Sequence, residues 1–399
     1  MALDPESQRL LDLMAAANRP AWITLTPKEA REQYLSTRAG AQGPRPEGVS
    51  VTDRTIPGPE GPIPVRIYRP DSAASEAKLP ALVFAHGGGW VFGNLDSHDV
   101  LCAQLALEAR IAVFAIDYRL APEARFPGAF DDVAAGLKWV AANGASVGID
   151  ATRLAIGGDS AGGNLAAAVA IWARDNGGPK LKLQMLAYPV TDGVARTESY
   201  HQFFDGYGLN APTMEWFYDH YTPDKAARDD WRLSPLRAES LAGLPPALVV
   251  VAGYDVLRDE GRAYAYRLQK EGVVTDLIEF GGMLHGFLSS PMLLHGARRG
   301  AALCAAALRE DWRVSPLRAK SLAGLPPALV VTAGYDPLRD EGRAYAWRLQ
   351  KDGTVADLVE FGGMMHGFLS SPMLLHGARR GAAICAGALR EALVLRGQQ

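Results

Sequence analysis

Apolar and polar positions follow two rhythms along this chain. Short apolar runs at residues 81–85, 111–116, 154–157, 183–187, 247–252 and 277–280 read as buried strands. Between them lie stretches with helical spacing of apolar residues, such as 130–142 and 164–174. Strands alternating with helices imply an α/β fold, a mostly parallel sheet covered on both faces. Ahead of these, 51–54 and 65–68 read as an antiparallel pair at the sheet edge, with Pro57, Gly58, Pro59, Gly61 and Pro62 supplying the turn. Two segments fit the alternation less well. Residues 1–45 carry helical patterns, and 193–230 are crowded with aromatics such as Phe203, Trp216, Phe217, Tyr218 and Tyr221. They read either as surface helices or, as preferred here, as a helical cap, since insertions over strand ends build pockets in α/β folds.

The pattern also repeats itself. Trp231-Arg-Leu-Ser-Pro-Leu-Arg returns 81 positions later as Trp312-Arg-Val-Ser-Pro-Leu-Arg, and the match runs on to Glu310 and Glu391. About a dozen positions differ, among them Val256/Pro337, Tyr266/Trp347 and Leu284/Met365. Two long copies are not a solenoid. They fit a recent tandem duplication or an error in joining the sequence, and removing either copy leaves a self-consistent chain. The organisation expected is one domain over 1–310, capped from about 1–45 and 193–230, and an extra strand–helix unit over 311–399 that duplicates 230–310. The first copy continues directly from the strand at 183–187 and the cap. Use of the second would loop out 81 residues, at a closure cost of about 4 kcal/mol.

Composition narrows the function. The 399 residues are 48% hydrophobic and 21% charged, with a formal net charge of −3, which gives no electrostatic reason to expect nucleic acid. The first residues lack a basic and an apolar region, so no secretory signal is expected. No apolar run reaches about 18 residues, so no membrane span is expected. Cys102, Cys304 and Cys385 show neither metal nor disulfide spacing. The chain therefore reads as cytoplasmic, without metal, and the repeat leaves room for a homodimer by exchange of the second copy.

The chemistry is concentrated in a few motifs. Gly158-Asp159-Ser160-Ala161-Gly162 satisfies G-x-S-x-G between a strand and a helix, the context of a nucleophile elbow. A phosphate loop would need a G-K-[ST] ending, and Asp159 would repel phosphate. His86-Gly87-Gly88-Gly89-Trp90 follows a strand and offers glycine amides to a developing oxyanion, beside the amide of Ala161. Of eight histidines, His285 lies after a strand and thirty residues beyond Asp255, which itself ends a strand. The order serine, acid, histidine suits a triad in which the imidazole takes the serine proton and the carboxylate orients it. Asp336 and His366 are the duplicates of Asp255 and His285.

At these motifs, together with Asp117-Tyr-Arg-Leu-Ala-Pro-Glu and His285-Gly-Phe, the chain resembles the hormone-sensitive lipase family of bacterial and archaeal esterases, in its GDSAG subgroup. The resemblance implies an α/β-hydrolase fold with Ser160, Asp255 and His285 as triad. It implies Gly88, Gly89 and Ala161 as oxyanion hole, and short- to medium-chain acyl esters as small-molecule substrates without a cofactor. Asp117, Arg119 and Glu123 are expected to form a structural ion-pair network. Trp90 and Phe92, with the aromatics up to Tyr221, are expected to wall an apolar pocket. The competing readings are a catalytically silent ligand-binding relative, an assembly role for the repeat, and an amidase or true lipase using the same residues.

Overall fold

The computed structural model describes residues 3–73, 78–309, 317, 319, 321–336, 338–365, 368–370 and 376–390. The chain divides into two compact units, Met1–Arg309 and Glu310–Gln399. The first opens with helices α1 (Pro5–Ala16) and α2 (Pro27–Gln42) and strands β1 (Val49–Gly58), β2 (Gly61–Pro70) and β3 (Leu79–Ala85). It continues through α3 (Asp99–Ala109), β4 (Ala112–Ile116), α4 (Gly128–Asn143), β5 (Ile149–Asp159), α5 (Ala161–Asp175) and β6 (Leu181–Ala187). It closes with α6 (Glu198–Gln202), α7 (Ala211–Tyr221), β7 (Ala247–Tyr254), α8 (Arg258–Lys270), β8 (Thr275–Leu284) and α9 (His295–Leu308).

Eight strands form one sheet in the order β1-β2-β4-β3-β5-β6-β7-β8. From β4 to β8 every pair is parallel. The apolar runs are near-continuous because both faces are covered. Successive side chains feed opposite cores: Val83, Phe114, Ile156, Val249 and Val251 join one cluster, and Leu82, Phe84, Val113, Leu248 and Val250 join the other. The β1–β2 hairpin is antiparallel. Of these two strands only β1 lies at an edge, however, because β2 also pairs antiparallel with β4, Val65 opposite Ile116. The local sequence marks a hairpin but does not say which strand its second arm will meet. Among the described residues no helix is long and apolar enough to cross a membrane.

Helix α2 has a strong start. Thr26 caps it, the Glu29 carboxylate accepts the Thr26 amide at 2.9 Å, and Pro27 occupies the first turn.

The second unit contains β9 (Ala328–Tyr335), α10 (Arg339–Lys351), β10 (Ala356–Met365) and α11 (His376–Arg390). Its strands β9 and β10 pair in parallel as a sheet of two. The place beside β6 is filled by β7 from the first copy, which reaches it without a long detour. The register of β9–β10, from Ala328↔Ala356 to Tyr335↔Met365, repeats that of β7–β8, from Ala247↔Thr275 to Tyr254↔Leu284. The same local sequence thus builds the same strand pair twice.

Burial separates the copies. Leu257 and Leu284 are 0% and 3% exposed, whereas their counterparts Leu338 and Met365 are 47% and 66% exposed. Leu257→Ala should therefore destabilise the first unit by about 2–5 kcal/mol. Leu338→Ala should change stability by less than about 0.5 kcal/mol. Urea unfolding of the two variants checks this, and equal losses would contradict the packing described.

Candidate active site

Strand β5 runs directly into Ser160, which adopts φ 54°, ψ −120° at the start of α5. A side chain with positive φ stores strain that the surroundings must hold. They do so by close packing on the end of β3. A Cβ at Gly158 would fall 2.4 Å from the Ala85 carbonyl oxygen, and one at Gly162 would fall 2.0 Å from it. Both outer positions of G-x-S-x-G must therefore be glycine. The Ser160 amide donates to the Ala187 carbonyl at 2.9 Å, and its own carbonyl accepts from Asn164 at 3.0 Å. The hydroxyl thus stands at the N-terminus of α5, where amides and the helix dipole favour negative charge.

Parallel neighbours β7 and β8 end on the same side of the sheet, and each releases one residue towards the serine. Asp255, just after β7, is fully buried. Its Oδ1 accepts the Leu257 amide at 2.9 Å. Its Oδ2 lies 2.7 Å from His285 Nδ1, and His285 Nε2 lies 2.9 Å from Ser160 Oγ. A carboxylate at Nδ1 requires that nitrogen to carry the hydrogen, which leaves Nε2 to accept from the hydroxyl. The Tyr188 ring packs edge-on against the imidazole at 4.8 Å.

The glycine loop comes next. Gly88 and Gly89 have φ values of 125° and 59°. A Cβ on Gly88 would meet the Phe92 carbonyl oxygen at 2.0 Å, and one on Gly89 would meet the Phe217 ring at 2.3 Å. Among the described residues, the amides of Gly88, Gly89 and Ala161 donate to no backbone acceptor. Ala161 is the first residue of α5, where helical amides are unpaired. In the second unit, Asp336 follows β9 and accepts the Leu338 amide at 2.8 Å, the turn that Asp255 makes with Leu257. Its expected partner, His366, lies outside the described residues.

Two residues not singled out from sequence hold the glycine loop. Asp159 Oδ1 accepts the Gly87 amide at 2.9 Å, and its carboxylate lies 3.1 Å from His98 Nε2. Ser97 Oγ meets His98 Nδ1 at 2.9 Å. Asp159 and His98 are both buried. Burial pushes the Asp159 carboxyl up, but the neighbouring groups, His98 foremost and Arg38 with it, together hold it below the ordinary range. The signal was available: an ionisable side chain inside the elbow, on a strand buried on both faces, needs a buried partner. His86, by contrast, is driven down to about 3 by burial and is neutral. Its Nδ1 donates to the Gly87 carbonyl at 2.9 Å, and its ring stacks on Tyr118 at 4.3 Å.

One expectation needs correction. Asp117, Arg119 and Glu123 do not pair with one another. Arg119 pairs with Asp132 at 2.8 Å and with Glu60, and Glu123 pairs with Arg31 at 2.6 Å. Asp117 is raised to about 6 by burial, with His86 Nε2 3.8 Å away. The chain from Asp117 into the turn at Ala121–Glu123 points these side chains at different elements. Trp90 belongs to the buried aromatic group beside the glycine loop. With φ 61° it turns inward, is fully buried and stacks on Tyr221 at 4.7 Å.

A family model for the alpha/beta hydrolase fold matches residues 82–289 and 295–370. The chain belongs to this α/β-hydrolase family. Carboxylic ester hydrolase LipN of Mycobacterium tuberculosis is 47% identical over 267 residues, which cover 65% of this chain and 70% of that protein. Ethyl acetate hydrolase of Pseudomonas putida is 37% identical over 318 residues, covering 78% of this chain and 99% of that protein. An α/β-hydrolase from the metagenome of Lake Arreo, Spain, superposes with a TM-score of 0.76 at 42% identity, covering 78% of this chain and 99% of its own. With these relatives, this family member is a carboxylic ester hydrolase of the serine type.

Asp159→Ala would leave His98 and the Gly87 amide without their buried acceptor. Breaking such a pair should cost about 3–5 kcal/mol of stability, read as a lower urea midpoint. An unchanged midpoint would show that the contact carries no weight.

Proposed function

We propose that this carboxylesterase hydrolyses short- to medium-chain acyl esters with Ser160 as nucleophile, His285 as general base and acid, and Asp255 as orienting carboxylate. The observation that carries the reading is the unbroken line of hydrogen bonds Asp255–His285–Ser160, at 2.7 and 2.9 Å. His285 removes the hydroxyl proton as Oγ attacks the acyl carbon, and the same proton goes to the departing alkoxide. Water, deprotonated by His285, then releases the acid from the acyl-serine. The amides of Gly88, Gly89 and Ala161 take the charge on the acyl oxygen.

The preference for shorter acyl groups is supported by aromatic crowding beside the oxyanion glycines. Phe92 meets Phe217 at 5.0 Å and Tyr34 at 4.4 Å. These rings come from the glycine loop, α7 and α2. That convergence supports a cap built from about 1–45 and 193–230 over a domain spanning 1–310. The repeated register of β9–β10 supports reading 311–399 as a tandem duplicate. The buried, unpaired thiols of Cys102 and Cys304 support a reducing, cytoplasmic setting.

Ser160→Ala and His285→Ala should each lower kcat by about 10^4-fold or more, measured on p-nitrophenyl butyrate, while His366→Ala stays near wild type. The reverse result for the two histidines would move the triad to Asp336 and His366. Across p-nitrophenyl esters from C2 to C16, rates should fall off gradually beyond a short-chain optimum, since one methylene is worth only about 1–3 kcal/mol. Efficient C16 hydrolysis with activation at a lipid interface would contradict this and indicate a lipase.

A further inference from the structure

Three arginines on and just after α2 reach into the first unit, and they are treated differently. Arg31 pairs with Glu123 and Arg45 pairs with Asp99, each at 2.6 Å. Arg38, between them, makes no ion pair among the described residues. Its Nη1 lies 3.3 Å from Ser290 Oγ and 3.5 Å from the Ser289 carbonyl, and its guanidinium covers the Tyr34 ring at 4.9 Å. None of these partners is an anion. Asp159 influences it through space, but the oxygens of Asp159 are engaged by the Gly87 amide and His98. The guanidinium also hydrogen-bonds the Tyr34 side chain, so its bonded partners are all neutral and no carboxylate matches its fork of donors.

Its position gives this meaning. A Cβ on Gly286 would lie 3.4 Å from Arg38 Nη2, and Gly286 directly follows His285. One helical turn earlier, Tyr34 packs on Phe92, which closes over Gly88. One face of α2 therefore touches the oxyanion loop with Tyr34 and the histidine loop with Arg38. In ester hydrolysis the histidine must protonate the departing alkoxide, so the alcohol half of the substrate lies on the side of His285.

We propose that Arg38 forms an anion subsite for the alcohol half of the substrate, so that favoured esters carry a carboxylate on the alcohol. The proposal rests on Ser160 and His285 acting as described above. The reaction is ordinary hydrolysis. The acyl C–O bond breaks, water supplies hydroxyl to the acyl carbon and a proton to the alkoxide, and the products are a carboxylic acid and a hydroxy-carboxylate. A planar carboxylate can take two parallel N–H bonds from the guanidinium, a geometry that lysine cannot copy.

The test compares 4-acetoxybenzoate with its neutral methyl ester, and p-nitrophenyl hemisuccinate with p-nitrophenyl butyrate as the acyl-side pair. The readout is the anionic-to-neutral ratio of kcat/KM within each pair. Arg38→Met should lower the 4-acetoxybenzoate ratio by about tenfold, mainly through KM. Arg38→Lys should restore part of it, and the hemisuccinate ratio should stay constant. An unchanged ratio in Arg38→Met, with both esters falling together, would reduce Arg38 to a packing role and overturn the subsite. A fall confined to hemisuccinate would overturn its assignment to the alcohol side. Wild-type inactivity on both neutral esters would instead overturn the catalytic reading on which the subsite rests.

Discussion

The site depends on one close contact, the seating of the elbow around Ser160 against the carbonyl end of β3. Gly158 and Gly162 approach the Ala85 carbonyl so closely that neither can carry a Cβ. That contact fixes where β5 stops, forces Ser160 to positive φ and starts α5 at the next residue. A larger residue at either glycine would separate β5 from β3 at the point where the glycine loop also begins. The proposed nucleophile and oxyanion donors are therefore positioned by the same pair of neighbouring strands, whose register runs to Ala85↔Gly158.

The other parts are set by sheet topology and by one buried pair. Because β7 and β8 are adjacent and parallel, Asp255 and His285 emerge on the same side although thirty residues separate them. Asp159 then links the strand that carries the serine to the loop that carries the glycines, with His98 as its counter-group. This buried polar link is costly to desolvate and is tolerable only because each member is bonded. It ties the strand that carries Ser160 to the glycine loop, the kind of preorganisation that the proposed oxyanion hole needs.

Much of this was legible in the chain. The apolar runs gave the parallel strands because both faces of each are buried, and the elbow, glycine loop, Asp255 and His285 were named from strand-end positions and order. What escaped has a common cause: it depends on neighbours distant in sequence. The pairing of β2 with β4 and the separate partners of Arg119 and Glu123 are decided by which elements pack together. No local pattern encodes that. The link between Asp159 and His98 spans 61 residues, and only the burial of Asp159 hinted that a partner must exist. The repeat shows the same limit from the other side. Nearly identical segments build the same strand pair, yet Leu257 is buried and Leu338 is half exposed, because burial is set by the surroundings.

The central claim is that strain, helix terminus and the line from Asp255 through His285 make Ser160 a single activated nucleophile. Labelling the full chain with a fluorophosphonate, followed by intact-mass and peptide analysis, tests it directly. The account predicts one adduct per chain, on Ser160, with labelling slowed when Asp255 is replaced by alanine. An adduct on another residue, no adduct in a folded protein, or labelling indifferent to Asp255 would contradict it.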